Sequence, residues 1–365
     1  MGKKIFFSIL VVIFLSGSSY SQDKKKSAKS DGPKISKSDT LKKEKKVKED
    51  LHLFDSDEIM HISLRFNVAT FLRKKSKTDY LDAVLTFKPG EKDSIGTNIK
   101  LKSRGEFRNL NCYFPPVELN LKKSEFKYAD LDKIKLALQC NTGTEYEDYI
   151  LREYLIYKLY NVLTDTSFRV RLLSVDLIET QKQKKPVKQY GFFIEPLEML
   201  AKRTNTTIIK SLALNQKSII QKSVDRVAIF NYMIGNYDWA VPGQHNVRVL
   251  KSLSFEAQAL GIAVPYDFDW TGLVNASYAV PADNVGLPSI RDRLFVGICR
   301  TKEVYKKDLE EFIEKKDKFY SVVRDFPLLN QRSKQYIINY LNDFYSQIEA
   351  KNDITNTFLN SCKKF

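Results

Sequence analysis

The most informative parts of this 365-residue chain are two stretches, Gly235-Asn-Tyr-Asp-Trp-Ala-Val-Pro-Gly-Gln-His-Asn246 and Val264-Pro-Tyr-Asp-Phe-Asp-Trp270. Before the first stretch, apolar residues recur at helical spacing over residues 218–234, and Gly235-Asn236 is a typical helix stop. We therefore expect a helix that ends near Gly235 and leads into the loop that carries Asp238.

The residues after this loop predict two antiparallel strands. Apolar and polar residues alternate after Asn246, and a second extended run covers residues 257–266 after a short polar connection. In such a hairpin, the start of the first strand lies opposite the end of the second. We therefore expect Asn246 and Asp267 to meet at one end of the ladder, with Asp238 entering from the same side.

These three side chains predict a metal-nucleotide site. An amide oxygen and carboxylates are hard ligands, which suit Mg²⁺ or Mn²⁺ holding phosphate oxygens better than they suit zinc. In phosphoryl transfer, one Asp orients or deprotonates the acceptor hydroxyl, while an Asn and a second Asp hold the metal. Asp238 fits the first role, and Asn246 and Asp267 fit the second. Asp269 is a further candidate metal ligand or a capping group.

Each of these residues also has a purely structural explanation. Asp238 could close an Asx turn after a helix, and Asn246 could satisfy backbone groups of the turn. We interpret His245 as a loop-orienting or core residue, because the other two histidines, His52 and His61, lie far away in sequence. The aromatic residues around the loop are expected to pack together rather than to stack on bases.

The order of helix, Asp loop, Asn, hairpin and Asp resembles the catalytic segment of the protein-kinase-like superfamily, in particular the spore-coat CotH-like kinase family. Ile99-Lys-Leu-Lys-Ser-Arg-Gly-Glu-Phe-Arg108 resembles that family's opening strand and Arg-Gly turn. Tyr149-Ile-Leu-Arg-Glu-Tyr-Leu155 resembles its next helix, and residues 170–178 and 190–195 resemble its paired strands. Cys112-Tyr-Phe-Pro-Pro116 is also similar to a bacterial branch of secreted proteins of unknown activity.

The resemblance implies an α+β, atypical protein-kinase-like two-lobe fold, with a mixed N-lobe sheet and a mostly helical C-lobe. The N-lobe would cover residues 52–195 and the C-lobe residues 196–365, with ATP and Mg²⁺ or Mn²⁺ as cofactors. The chain departs from the kinase pattern at two places. Asn246 follows Asp238 by eight positions instead of five, and Asp-Phe-Asp stands in place of Asp-Phe-Gly.

Basic residues near the Arg-Gly turn are the candidates for contact with phosphate. The resemblance assigns this role to Arg104 or to a nearby lysine, of which Lys102 is the first candidate and Lys100 and Lys122 are the others. The CotH-like pattern tends to have a basic pair where this chain has Pro115-Pro116. The phosphate-binding lysine is therefore left open by the sequence.

Two glutamates complete the nucleotide-binding set that the resemblance implies. Glu153 lies on a helix predicted over residues 147–163, where it would pair with the phosphate-binding lysine or, alternatively, be a solvated acid on the helix surface. Glu195 precedes Pro196, at which an extended run stops. It would mark a hinge where adenine meets backbone groups or, alternatively, an ordinary strand end.

The N-terminus predicts export. Lys3-Lys4 precede an apolar run over residues 5–15 and a short segment of small polar residues, which is typical of a signal peptide over residues 1–21. Residues 22–51 are rich in Lys, Ser and Asp, and predict a disordered tether. We therefore expect an exported protein of the periplasm or cell surface, or a secreted one.

Basic residues give the chain a formal net charge of +16. Export argues against a nucleic-acid partner, although the charge alone would suggest one. A lysine-rich tether attracts anionic surfaces without specificity, so we expect weak, salt-sensitive contact with anionic polymers of the cell envelope.

Four cysteines in an exported chain permit disulfides with three connectivities. Cys112 and Cys140 flank strand-like segments that could approach one another in a small sheet, and Cys299 and Cys362 would then form the second pair. Buried free thiols are the alternative, because a core of this size needs no crosslink.

These observations predict an exported phosphotransferase that uses ATP and Mg²⁺ or Mn²⁺ to modify an unknown hydroxyl acceptor on a protein, sugar or lipid headgroup. The alternative is a catalytically inactive, kinase-like binding or assembly module of the cell envelope. The open question of the phosphate-binding lysine and the scarcity of ATP outside the cytoplasm favour this alternative. A third explanation is a metal that only locks the hairpin to the helix.

Overall fold

The computed structural model describes residues 53–92, 94–122, 132–253, 260–350 and 354–364. The predicted signal peptide, residues 1–21, and the predicted tether, residues 22–51, lie outside these ranges. Within the described ranges, no helix is both long enough and apolar enough to cross a membrane.

Seven strands in the first half of the chain form one closed sheet. They are β1 (Met60–Phe66), β2 (Leu81–Phe87), β3 (Ile95–Ser103), β4 (Val117–Asn120), β5 (Lys133–Leu138), β6 (Val170–Glu179) and β7 (Val187–Ile194). Their order around the barrel is β1-β2-β3-β4-β5-β7-β6. Neighbouring strands are antiparallel except for β1 and β6, whose parallel pairing closes the ring.

Alternation of side chains along each strand explains how the barrel is filled. Successive residues of a strand point to opposite faces, so one set of alternate residues faces inward. In β1, Leu64 is buried and its neighbour Arg65 is exposed. Apolar side chains from all seven strands form one buried cluster, in which Leu85, Leu101 and Leu136 are 0% exposed.

This barrel overturns the predicted fold class. The α+β, protein-kinase-like two-lobe fold is wrong, because the pairing of β1 with β6 closes a mixed sheet that a kinase N-lobe would leave open. Residues as distant as Leu64 and Leu177 pair in this register. The alternation within each strand predicts which face is buried but not which strand is the partner, so closure had no local signal.

The remaining elements are helices and a small sheet. The helices are α1 (Val68–Lys74), α2 (Phe107–Asn111), α3 (Thr144–Leu163), α4 (Leu197–Arg203), α5 (Gln221–Ile234), α6 (Lys302–Glu314), α7 (Lys316–Arg324), α8 (Gln331–Glu349) and α9 (Ile354–Ser361). The small sheet has the order β10-β9-β8 and consists of β8 (Thr206–Ile208), β9 (Val247–Ser252) and β10 (Ile262–Pro265). Helix α3 contacts β6 and β7 of the barrel as well as α7.

Several local predictions are confirmed. Helix α5 ends at Gly235, whose φ of 68° is the left-handed conformation that glycine adopts readily at helix ends. Helix α3 begins three residues before the predicted start at residue 147. Strands β9 and β10 form the predicted antiparallel hairpin, with Pro265 opposite Val247. The second strand was predicted over residues 257–266, whereas β10 begins at Ile262, and residues 257–259 of that prediction lie outside the described ranges. The division into residues 52–195 and 196–365 stays a prediction.

Both predicted disulfides are present. Cys112 bonds to Cys140, and Cys299 bonds to Cys362, so the alternative of free thiols is wrong for all four cysteines. Disulfides persist in oxidising compartments, so the two disulfides are compatible with an exported protein.

Candidate functional site

The open end of the β9–β10 hairpin brings Asn246 and Asp267 together, as predicted. The backbone N–H of Tyr266 donates to the Asn246 carbonyl oxygen over 3.0 Å. Asp267 is the next residue after Tyr266 and therefore lies at this end of the hairpin. Asn246 and Asp267 both have left-handed backbones, with φ of 49° and 66°. Asparagine and aspartate adopt this conformation more readily than other residues with a side chain, and it recurs at turns and at functional sites.

Asp238 contacts the same end of the hairpin. Its Oδ1 lies 2.7 Å from His245 Nε2, and its Oδ2 and backbone oxygen accept hydrogen bonds from Asn246 Nδ2 over 3.1 Å and 2.7 Å. The Asx turn here is made by Asn236, whose Oδ1 accepts from the Asp238 N–H. His245 therefore orients the Asp238 carboxylate, which agrees with the loop-orienting interpretation.

A cavity of about 270 Å³ lies between the hairpin end and the barrel. Its wall includes Arg104 from the turn after β3, Lys135 from β5 and Arg248 from β9. Asp267 and the ring of Tyr266 also line it. Further lining side chains include the charged residues Lys133, Glu118, Glu195 and Glu198.

The three cations of this wall crowd one another. Burial, followed by the positive charges of Arg104 and Arg248, lowers the pKa of Lys135 to about 8. Within the described residues, none of the three forms an ion pair with a carboxylate. Arg248 instead donates to the Gln244 carbonyl oxygen and lies over the Tyr266 ring. Cations that repel one another around a cavity predict an anionic ligand.

The lysines suggested by the sequence lie elsewhere. Lys102 is 3.7 Å from Glu118 and lies over the Tyr80 ring, and it does not line the cavity wall described above. Lys100 pairs with Asp82 on the surface. Lys122 lines a neighbouring cavity. Of the basic candidates, only Arg104 lines the cavity with Asp267, and Lys135, which the sequence did not single out, is a lysine on the same wall.

Glu195 lines the cavity, but its carboxylate is already bound. Arg203 Nη2 lies 2.9 Å from Glu195 Oε2, and the Arg169 N–H donates to the same oxygen over 3.0 Å. Strand β7 ends at Ile194, and helix α4 follows Pro196. The side chain of Glu195 therefore ties the strand end to its surroundings. Its backbone N–H donates to the Arg169 carbonyl oxygen over 2.9 Å, so within the described residues only the Glu195 carbonyl oxygen is left for a ligand.

Glu153 is buried, so its interpretation as a solvated surface acid is wrong. Its partner is not a lysine but Arg108, whose Nη1 lies 3.4 Å from Glu153 Oε2. Burial, together with the negative charge of Asp269, raises the pKa of Glu153 well above its ordinary range. The helix α3 thus contributes a buried acid to the site, paired with an arginine from α2.

Asp269 belongs to the same buried cluster. Arg108 Nε lies 3.9 Å from Asp269 Oδ2, and the Tyr278 hydroxyl donates to that oxygen over 3.2 Å. Burial and the nearby Asp267 carboxylate raise the pKa of Asp269 to about 6, against the effect of Arg108. These contacts engage Asp269 Oδ2 with protein side chains.

Asp267 is the carboxylate best suited to a metal ion. Over the described part of the chain, it accepts no hydrogen bond and forms no ion pair. No group of three or more His, Cys, Asp and Glu side chains among those residues is arranged to hold a metal. Magnesium usually binds one or two carboxylates and completes its shell with water and phosphate. Asp267, with the amide oxygen of Asn246, fits such a shared metal.

Four residues of the site escaped the sequence analysis: Lys135, Arg248, Arg108 and Tyr157. Lys135 and Arg248 alternate with buried apolar neighbours on their strands, which indicates an outward face but not a cavity. Arg108 was noted only as the end of the Arg-Gly motif. Strand β5 carries two lysines, Lys133 and Lys135, and strand β9 carries Arg248 and Lys251, so the sequence holds no signal that singles out the basic residue facing the cavity.

Comparisons with known proteins add no family to these observations. The chain matches no protein-family model, and no curated protein matches it. The resemblance to CotH-like kinases therefore stays a prediction. The features of the molecule that bear on function are the cavity, its three cations and the Asp238–Asn246–Asp267 arrangement.

Proposed function

We propose that this protein is an exported phosphotransferase that binds ATP with Mg²⁺ or Mn²⁺ and phosphorylates a hydroxyl acceptor. One observation carries the proposal. In the part of the chain that the structure describes, Arg104, Lys135 and Arg248 converge on a cavity without forming ion pairs, beside the free carboxylate of Asp267. All three cations are partly buried, and charges held away from water without an opposite charge cost stability, so a ligand that neutralises them would explain their convergence. A phosphate chain with a divalent cation neutralises both signs at once.

Each group of residues at the site would have a distinct role in phosphoryl transfer. Arg104, Lys135 and Arg248 would bind phosphate oxygens, and Asp267 and Asn246 would hold the metal, which neutralises charge on those phosphates. Asp238 would orient the acceptor hydroxyl or take its proton. The acceptor oxygen would attack the γ-phosphorus, and the bond to the leaving nucleoside diphosphate would break. His245 and Asn246 fix the position of Asp238.

The second candidate is a binding module of the cell envelope that takes an anionic ligand without transferring phosphate. The engagement of Asp238 favours it, since both carboxylate oxygens already accept hydrogen bonds. Glu153 favours it too, because this acid is bound to Arg108 and not to a lysine of the cavity. The two candidates share the ligand site and differ only in turnover.

Calorimetric titration of ATP into the full chain, with Mn²⁺ present, tests the proposal. We expect metal-dependent binding that Asp267→Asn weakens at least about 100-fold while the protein stays folded. Asp308→Asn is the matched control, because Asp308 also has a buried carboxylate oxygen without a hydrogen-bond partner among the described residues, but does not line the cavity.

The outcomes separate the two candidates. Binding that leads to slow formation of ADP supports the phosphotransferase, and tight binding without any ADP supports the binding module. Absence of metal-dependent binding in protein shown to be folded overturns both the nucleotide site and the role of Asp267.

A further inference from the structure

Tyr157 is a buried tyrosine of helix α3 whose hydroxyl reaches the hairpin. The backbone N–H of Asp267 donates to the Tyr157 hydroxyl oxygen over 3.0 Å. The ring is held by Phe192 and Phe268, with ring centroids 5.6 Å and 4.8 Å away. These ring contacts fix the position of the Tyr157 hydroxyl oxygen. The group that it contacts there is the backbone N–H of Asp267, the candidate metal ligand.

Asp267 needs such a partner for two reasons. Its φ of 66° lies in the left-handed region, which aspartate adopts more readily than most residues but less readily than glycine. Strand β10 ends at Pro265, so the Asp267 N–H falls beyond the regular ladder of the hairpin. Because an unpaired buried N–H is costly, the Tyr157 hydroxyl compensates for both effects.

The same hydroxyl is also able to contact a ligand. A tyrosine hydroxyl donates one hydrogen bond and accepts others. Tyr157 accepts from Asp267, and within the described residues its own proton has no acceptor. Tyr157 and Asp267 both line the cavity of about 270 Å³.

We propose that Tyr157 is a positioning residue of this site. Its oxygen holds the Asp267 backbone in the left-handed conformation that directs the carboxylate to the metal, and its proton is donated to an oxygen of the bound phosphate chain. The second part rests on the proposed function, whereas the first part concerns the protein alone. Glu153, one helical turn before Tyr157, lies on the same face of α3 and extends the support to Arg108.

Tyr157→Phe removes the hydroxyl and keeps the ring, so the packing against Phe192 and Phe268 survives. Tyr160→Phe is the matched control, because Tyr160 is a buried tyrosine on the same helix whose hydroxyl has no hydrogen-bond partner among the described residues. Two quantities are measured in the full chain: amide hydrogen exchange at Asp267 and the affinity for ATP with and without Mn²⁺.

In Tyr157→Phe, we expect faster exchange of the Asp267 amide and an affinity for Mn²⁺-ATP about tenfold weaker, which corresponds to one hydrogen bond of about 1.4 kcal/mol. Affinity for ATP without metal should fall less, because Asp267 acts through the metal. Tyr160→Phe should match the wild-type protein in both measurements. A purely structural tyrosine would lower the melting temperature without changing the metal dependence.

Three results would contradict parts of this account, and they can be told apart. Unchanged exchange at Asp267 in Tyr157→Phe overturns the positioning role. Faster exchange with unchanged Mn²⁺-ATP affinity overturns the link to the ligand. If the wild-type protein binds no ATP, the proposed function fails, and the exchange measurement still decides whether Tyr157 holds Asp267.

Discussion

The barrel interior and the cavity beside it differ in what they bury. Inside the barrel, apolar side chains from all seven strands form one cluster, and every residue contributes to stability by leaving water. Strand β5 contributes Leu136 to this cluster. On the outer face of β5, Lys135 lines the cavity together with Arg104 and Arg248. Burial opposes the charged form of Lys135. The inward face of β5 thus stabilises the fold, whereas its outward face holds a charged lysine whose burial lowers stability. The proposed ligand would offset that loss.

Backbone conformation shows the same contrast. Eight non-glycine residues of the described part have positive φ, and three of them, Gln244, Asn246 and Asp267, lie at or beside the open end of the hairpin. These three backbones lie beside the cavity in which the positive charges of Arg104 and Arg248 lower the pKa of Lys135. Proteins tolerate such combinations where a ligand is bound, since the surrounding structure has to hold the strained residues in position.

The largest effect on stability is expected inside the barrel. Leu85 on β2 is 0% exposed, and Leu85→Ala should lower the free energy of unfolding by about 2–5 kcal/mol, because a buried cavity replaces the lost methyl groups. Urea denaturation measures this change. Leu85→Met is the control and should cost less than about 1.5 kcal/mol, since it keeps the volume. A loss below about 1 kcal/mol for Leu85→Ala would show that the barrel interior is less tightly packed than described.

The sequence predicts the local elements of this molecule better than their assembly. The hairpin and the C-terminal end of helix α5 were predictable, because alternation, helical spacing and a glycine stop act over a few neighbouring residues. The meeting of Asn246 with Asp267 followed from hairpin geometry alone.

The barrel and the cavity could not be predicted in this way. Closure depends on the pairing of β1 with β6, whose residues are more than 100 positions apart. The resemblance of short motifs suggested a two-lobe fold, but motifs carry no information on which strands become neighbours. Lys135 entered the site only because β5 lies beside the hairpin. Glu153 was expected to pair with a lysine, and the fold supplied Arg108 instead.

A smaller effect is expected at Asp308, a buried carboxylate outside the cavity. Burial, with the charge of Asp225, raises the pKa of Asp308 from 3.8 to about 6, although Arg300 and Lys222 oppose the shift. The folded state therefore binds the proton more tightly than the unfolded state does. Its contribution to stability is present below about pH 4 and is lost as the pH rises through about 6.

Asp308→Asn should therefore stabilise the protein at about pH 7.5, by about 1 kcal/mol once the accessible part of the group is discounted. The advantage of the variant should disappear as the pH falls from about 6 to about 4. Urea denaturation across this pH range measures the difference. If the difference in the free energy of unfolding stays constant with pH, Asp308 does not titrate over this range. If Asp308→Asn also changes the affinity for ATP, Asp308 cannot serve as a control for Asp267.

The most direct test of the central claim compares Lys135→Met with Lys100→Met in two measurements, the affinity for Mn²⁺-ATP and the free energy of unfolding. Lys100 is a surface lysine paired with Asp82 and serves as the matched control. We expect Lys135→Met to weaken Mn²⁺-ATP binding by about 30-fold or more while the protein becomes equally or more stable, because an apolar side chain replaces a buried charge. Lys100→Met should change neither quantity. Unchanged affinity in Lys135→Met, together with a marked loss of stability, would contradict the claim that the cations of the cavity serve a ligand.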